Sequence, residues 1–376
     1  MIDFATALYL GLQHPATQLG FYPALTTGAP ASLATAPLAT LLAAQAAELQ
    51  GCEAGMVAPS TLHLAIDVFD RLGRTHALIA DEALYPVMRW GLERVMGMGV
   101  QVTWFRHGDL ADLTLQIKQR WGGRPPAVIT DATRREGAPV PLARYLKLVQ
   151  RYGGLIVVDH SQMLGLMGEH PSAPQPWGQG GGGALRYAAL GRTQPVLLLA
   201  SWAKAFGAPL ATLCGPLNLV RDVARDGPTQ THCSSASETA LRAGLNALAL
   251  NQRDGARRRL QLLQLLQHLH LGLRRLARGK LPDLQTSRRN HPLQHLCLAT
   301  AERTQALHTG LRASGFRTAL LRQREGRYAL AVILRANHRQ ADIDALLLAM
   351  ATLAPQLPKP AAEPARTRLT EDRQHV

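Results

Sequence analysis

Two segments of this sequence put reactive side chains where apolar runs stop. GLIVVDH closes a strongly apolar stretch on Asp159, and PVLLLASWAKAFG carries Lys204 just past another. A carboxylate in such a place can hold a proton on a ligand, or it can simply cap a helix N-terminus. A lysine flanked by Ala and Trp is open to desolvation, which lowers its pKa and frees a neutral amine for imine formation, although many lysines at such turns are merely solvated. The two residues together have a logic that neither has alone. The amine can anchor an aldehyde, and the carboxylate can keep a pyridine nitrogen protonated so that the ring withdraws electrons.

Such chemistry needs both strand ends on one sheet edge, where open α/β sheets collect their ligands. The pattern along the chain supplies that frame. Short apolar runs, HALIAD, VQVTWF, PAVITD and GLIVVDH, alternate with helical segments such as YPVMRWGLERVM and LARYLKLVQRYG, which predicts a mostly parallel α/β sheet. We divide the chain into an N-terminal arm over 1–30, a large domain over 31–236 opened by a helix from Pro37 to Gln50, and a linking helix over 237–277. A small α+β domain over 278–354 follows, and the Pro- and Arg-rich stretch over 355–376 is expected to be disordered. GQGGGG at 178–183 follows the Pro-rich HPSAPQPW, so a flexible surface loop is expected there rather than a phosphate cradle.

The 376 residues, 47% of them hydrophobic, are enough for a sizeable core and argue against disorder as the default. No apolar run is long enough to cross a bilayer and no signal peptide is apparent, so a soluble cytoplasmic protein is expected, without a membrane role. Cys52, Cys214, Cys233 and Cys297 show neither CxxC nor CxxH spacing, which argues against a metal site or a disulfide framework. The net charge of +15 comes from arginines spread along the chain and not interleaved with aromatics, which argues against nucleic acid as the partner. The densest clusters, Arg257 to Arg259 and Arg274, Arg275 and Arg278, fall in a Leu/Gln-rich helix. We read them as a solvated face, with docking of an acidic carrier protein as the competing reading.

Segments in order along the chain carry a family resemblance. They are DFATALYLGLQHP, GCEAGMVAPSTLHLAI, FRHGDLADL, TDATRREGAPVPL, RYGGLIVVDHSQMLGLMG, SWAKAFG with THCSSAS, and ILRANHRQADIDALLLAM. From Asp3 to about Leu353 the chain resembles the α-oxoamine synthase branch of fold-type I enzymes that use pyridoxal 5'-phosphate (PLP). The resemblance implies a large domain with a mostly parallel seven-stranded sheet plus a small C-terminal α+β domain. It implies Lys204 as the Schiff-base lysine and Asp159 as the partner of the pyridine nitrogen. It places Ser60, Thr61 and Leu62 at the cofactor phosphate, Ser201 as a further hydroxyl contact, and Ser235 at the phosphate of a second copy across a homodimer interface. The implied reaction is acyl transfer from a CoA or carrier-protein thioester to an amino acid, with decarboxylation.

The sequence departs from the family pattern at sites that bear on that reaction. Gln162 stands where the family has histidine, and its amide can still donate to the ring oxygen. Tyr85 replaces the histidine that stacks on the ring, and a phenol is a poorer acid or base near neutral pH. Ala329, Leu330, Ala331 and Val332 occupy the strand that normally offers an arginine to the substrate carboxylate, with Arg327 and Arg335 nearby but off the motif. These departures keep a PLP-dependent aminotransferase, or another reaction at the α-carbon, as the alternative. A catalytically retired binding or regulatory module is a third reading, opposed by the retention of both Asp159 and Lys204.

Overall fold

A computed structural model of the chain describes residues 1–120, 122–133, 137–286, 290–323 and 326–359. Its centre is a seven-stranded sheet in the spatial order Ala54–Ala58, Ala211–Gly215, Val196–Ser201, Leu155–Asp159, Pro126–Asp131, Ala77–Asp81, Val102–Phe105. Only Ala211–Gly215 runs antiparallel to its neighbours; the other pairings are parallel.

The strands are apolar on both sides because both faces are covered. Ile156, Val158, Val196, Leu198 and Ala200 join one hydrophobic cluster, with the helices Pro37–Gln50, Leu142–Gln150 and Glu238–Arg278. Leu155, Val157, Leu197 and Leu199 alternate with them into a second cluster, with Thr61–Thr75, Pro86–Gly97 and Leu217–Asp226. Each such side chain, fully withdrawn from water, contributes roughly 1.5–3 kcal/mol, and the two-residue alternation fixes the register.

The 41-residue helix Glu238–Arg278 leads from this sheet to a second, four-stranded one made by Ala319–Arg322, Tyr328–Ile333, Leu293–Cys297 and Gln285–Thr286. Ser237 caps the long helix, accepting the amide N–H of Ala240. The chain's beginning returns to this smaller sheet region: Ile2–Asp3 pairs in parallel with Phe316–Arg317, and Phe4 accepts the N–H of Ile333. At the other end the packed chain runs past residue 354, with Leu357 buried in the main cluster; residues 360–376 lie outside the described residues. Among the described residues no helix is long and apolar enough to cross a membrane, and no group of His, Cys, Asp or Glu is arranged for a metal.

Two expectations need correction. The glycine run is not a flexible surface loop: Gly181, Gly182 and Gly183 are buried, and a Cβ on Gly183 would lie 2.2 Å from the ring of His160. Glycine is required there by close packing and by φ of +84°. The arginine trio is not a solvated face either. Arg259 is 7% exposed and Arg258 donates to the Leu10 carbonyl at 2.9 Å, so of the three only Arg257 is fully at the surface. Successive helical positions differ by about 100°, and Arg259 falls on the stripe continued by Leu262, Leu266, Leu269 and Leu273.

Candidate active site

The carboxyl ends of five strands, with the amino end of the antiparallel Ala211–Gly215 between two of them, form the edge that collects the polar groups. The register sets Ala58 opposite Ala211 and Ala211 opposite Ser201, so the strand leading to Ser60 ends at the same edge as the strand leading to Lys204. Beyond lie Asp159, paired in register with Asp131, and then Asp81.

Asp159 is held by its own turn. Its Oδ1 accepts the N–H of Ser161 at 2.9 Å, and the Ser161 hydroxyl accepts the N–H of Ser201 at 2.8 Å, which ties the two strand ends together. Lys204, half-buried, sits in the turn after Ser201 with its Nζ 5.5 Å from the centre of the Tyr85 ring. That turn is fixed from several sides. Trp202 is fully buried and donates to Thr212 at 2.9 Å; Gly207 donates back to the Lys204 carbonyl at 3.2 Å. His14 takes the amide of Asn246 on Nδ1 at 3.0 Å, so its Nε2–H donates to the Phe206 carbonyl at 2.7 Å.

Ser60 is the N-cap of the helix Thr61–Thr75, with its hydroxyl 2.8 Å from Nδ1 of His63 and accepting the His63 N–H. Thr61 and Leu62 open the first helical turn, where backbone N–H groups have no intrahelical acceptor. Tyr85 caps the helix Pro86–Gly97 and is 52% exposed. Ser235 lies in the segment whose neighbours Cys233 and Ser234 pair with Ala31 and Pro30, at the end of the N-terminal arm.

Three residues that sequence reasoning passed over belong to the site. Tyr9 is buried and donates its hydroxyl to Oε1 of Gln162 at 2.5 Å. His291 packs edge-on to Tyr9, accepts the Leu293 N–H on Nδ1 at 3.1 Å, and so presents Nε2–H to the Gln162 carbonyl at 3.3 Å. Burial pushes its pKa down to about 4, so it is neutral at pH 7. Asp131 accepts the N–H of Tyr85 on Oδ2 at 3.0 Å, while its Oδ1 is buried with no hydrogen-bond partner among the described residues. Burial and then the adjacent charge of Asp159 push the Asp131 carboxyl well above the usual range. In the small sheet, Ala329 to Val332 are buried, and Arg335 is engaged by the Asp3 carbonyl at 3.2 Å and by His338 at 3.4 Å.

A sequence profile of the family "aminotransferase class I and II" matches residues 66–335. The chain belongs to that family. Among curated members, it is 24% identical over 81% of its length to 8-amino-7-oxononanoate synthase of Alkalilimnicola ehrlichii, covering 74% of that protein. It is 26% identical over 94% of its length to the enzyme of the same name from Methylobacterium nodulans, covering 87% of it. Among solved structures, serine palmitoyltransferase of Sphingomonas wittichii superposes with a TM-score of 0.81 at 17% identity, over 95% of this chain and 88% of that one. 8-Amino-7-oxononanoate synthase of Francisella tularensis gives 0.72 at 16% identity, over 94% and 98%. The structural likeness is one of fold. It is fold type I of the PLP-dependent enzymes, with the large seven-stranded sheet and smaller C-terminal sheet domain expected from the sequence.

Proposed function

We propose that this member of the aminotransferase class I and II family binds PLP and condenses an amino acid with an acyl thioester. In that reaction the α-carbon loses its carboxylate as carbon dioxide and gains the acyl carbon, the thiolate leaves and takes up a proton, and an α-amino ketone results. The observation that carries the reading is the convergence of Lys204, Asp159 and the helix N-terminus capped by Ser60 on one sheet edge. The names of the curated relatives support the reaction class.

The donor set suits the cofactor. Ser60, Thr61 and Leu62 offer a hydroxyl and backbone N–H groups to its phosphate, with Ser201 as a further hydroxyl. Asp159 offers its carboxylate to the pyridinium, and Lys204 its amine to the aldehyde. Because Tyr9 occupies Oε1 of Gln162, the Nε2–H groups are left to donate to the ring oxygen. When bound, PLP supplies the electron sink that makes the α-carbon reactive. Lys204 Nζ then moves the α-proton, Tyr85 covers one face and excludes water, and neutral His291 fixes Gln162 without adding charge. Asp131 holds Tyr85 through its backbone N–H, with its own carboxyl pushed well above the usual range by burial and by the neighbouring Asp159.

The reading extends to a homodimer in which Ser235 reaches the phosphate of a second copy, and to a cytoplasmic setting, which four free cysteines suit. It also admits an acyl carrier protein as donor. Arg257, Arg274, Arg275 and Arg278 are exposed cations for that encounter, whereas Arg259 is turned inward.

Transamination is the second reading. It is favoured by Tyr85 in place of a histidine and by Arg335 being tied to Asp3 and His338 rather than offered to a substrate carboxylate. Purified protein incubated with a panel of amino acids and thioesters, analysed by mass spectrometry, separates the two. Release of carbon dioxide and free thiol with an amino ketone supports acyl transfer. A keto acid formed without thiol release, and dependent on a keto-acid acceptor, replaces it with transamination.

A further inference from the structure

A cavity of about 1180 Å³ lies between the helix Pro37–Gln50, the loop 174–180 and the long helix. Its walls are largely apolar, with Leu41, Leu49, Pro176, Trp177, Leu248 and Leu263 among them. Arg259 also lines it, although its side chain is withdrawn from bulk water. Its Nη1 donates to the Gly165 carbonyl at 3.1 Å and to Oδ1 of Asn251 at 2.7 Å, both neutral acceptors. Among the described residues no carboxylate pairs with Arg259, and its remaining N–H groups have no acceptor. The two other charged groups lining the cavity are engaged elsewhere and exposed: Glu48 with Arg192 at 3.2 Å, and Arg257 with Asp254 at 3.7 Å. Burial lowers the Arg259 pKa to about 10, which leaves it cationic at neutral pH.

A buried cation without a counter-ion is costly, and an anion that reaches it gains a charge-assisted and often bidentate bond in a water-poor setting. The cavity has the dimensions and apolar lining of a small-molecule site. We propose that it binds a medium-chain carboxylate, with the carboxylate on Arg259 and the chain along the leucines and Trp177. An amino acid would bring an ammonium group that these walls cannot satisfy. Trp177 donates its indole N–H to the Asn290 carbonyl at 2.6 Å, next to His291, so an occupant touches a residue tied to the reaction site.

The test uses the purified full-length holoenzyme and three probes of equal chain length: decanoate, 1-decanol and decyltrimethylammonium. Calorimetry and tryptophan fluorescence should report decanoate binding tighter than about 1 mM and at least tenfold tighter than the cation. Arg259→Gln keeps a donor toward Gly165 but no charge, and should weaken decanoate about tenfold or more while leaving decanol within about twofold. Arg259→Lys should restore most of the loss. Trp177→Phe should abolish the fluorescence change but not the heat. Should Arg259→Gln fail to fold, Leu248→Trp, which fills the cavity from a half-buried wall, should weaken decanoate and decanol together. The proposal is overturned by absence of decanoate binding, by equal binding of all three probes, or by full affinity in Arg259→Gln. It is also overturned if Leu260→Glu, at the mouth, dissociates the protein into monomers while decanoate has no effect, because the groove is then covered by a second copy.

Discussion

Lys204 and Asp159 stand at the ends of neighbouring strands, and each is held by contacts that do not involve a ligand. Replacing either should therefore remove chemistry before it removes structure. Lys204→Ala should lose the visible absorbance of bound PLP and any cofactor fixed by borohydride, with a melting temperature close to that of the cofactor-free wild type. Retention of a reducible adduct in that variant would place the attachment on another lysine. Asp131 gives a sharper residue-level test, because its carboxyl lies well above its ordinary value of 3.8 in the folded chain. The folded state then holds a proton that the unfolded state releases. Its contribution is fully present below 3.8 and is lost as pH rises through the folded value. Asp131→Asn, which mimics the protonated acid, should melt level with the wild type at pH 4 and above it at pH 8; a variant that melts lower at pH 8 would show that the site needs a charged carboxylate. At this scale the sequence shows position where an apolar run ends on or just before a reactive group, as at Asp159 and Lys204, which the structure has at strand ends. It was not readable where groups meet only in space. Tyr9 and His291 lie nearly three hundred residues apart, and neither has a local pattern that sets it off from an ordinary core residue.

At the scale of elements, the lysine turn depends on one backbone position. Gly207 has φ of +65°, and a Cβ there would approach the Leu12 carbonyl to 2.7 Å. Gly207→Ala should cost about 1–3 kcal/mol and shift the turn relative to the N-terminal segment. The expected signature is a lower melting temperature with PLP affinity reduced more than overall fold content. Unchanged cofactor affinity would mean that the turn is set by Trp202 and His14 without the glycine. The strands and helices were legible because burial on both faces writes itself as continuous apolar runs. The glycine run was misread because composition reports what a segment can do without neighbours. Gly181 to Gly183 are small so that His160, Leu49 and Gly165 can come close, and those partners lie elsewhere in the sequence. The arginine trio differs for the opposite reason: Arg259 lies on the leucine stripe of the helix, and that position rather than its charge sets its burial.

At the scale of the molecule, the N-terminal arm leaves apolar side chains in water. Phe21 in the arm is 89% exposed and Leu33, just beyond it, 80%, and Pro30 between them bridges Ser234, the neighbour of Ser235. Side chains of this size are favourable to cover, and a symmetric second copy is the simplest cover. Phe21→Asp combined with Leu33→Asp should convert a dimer to monomers in sedimentation experiments and lower PLP retention. A double variant that remains dimeric with full cofactor would remove the arm, and with it Ser235, from the interface.

The pairing of Ile2–Asp3 with Phe316–Arg317 also has a consequence for the order of assembly. Ile2 and Asp3 leave the ribosome long before the strand that pairs with them. At ordinary elongation rates the delay is roughly tens of seconds. During it, Phe4, Tyr9 and Leu10, all buried in the finished protein, have no small-domain surface to cover them. The lysine turn, which the same segment braces through His14, can settle only when that segment docks. Closing so long a loop costs little more at equilibrium than closing a shorter one, because the entropy grows only with the logarithm of length. It does delay the final step, so the lysine turn should be among the last parts of the chain to become protected from hydrogen exchange during refolding.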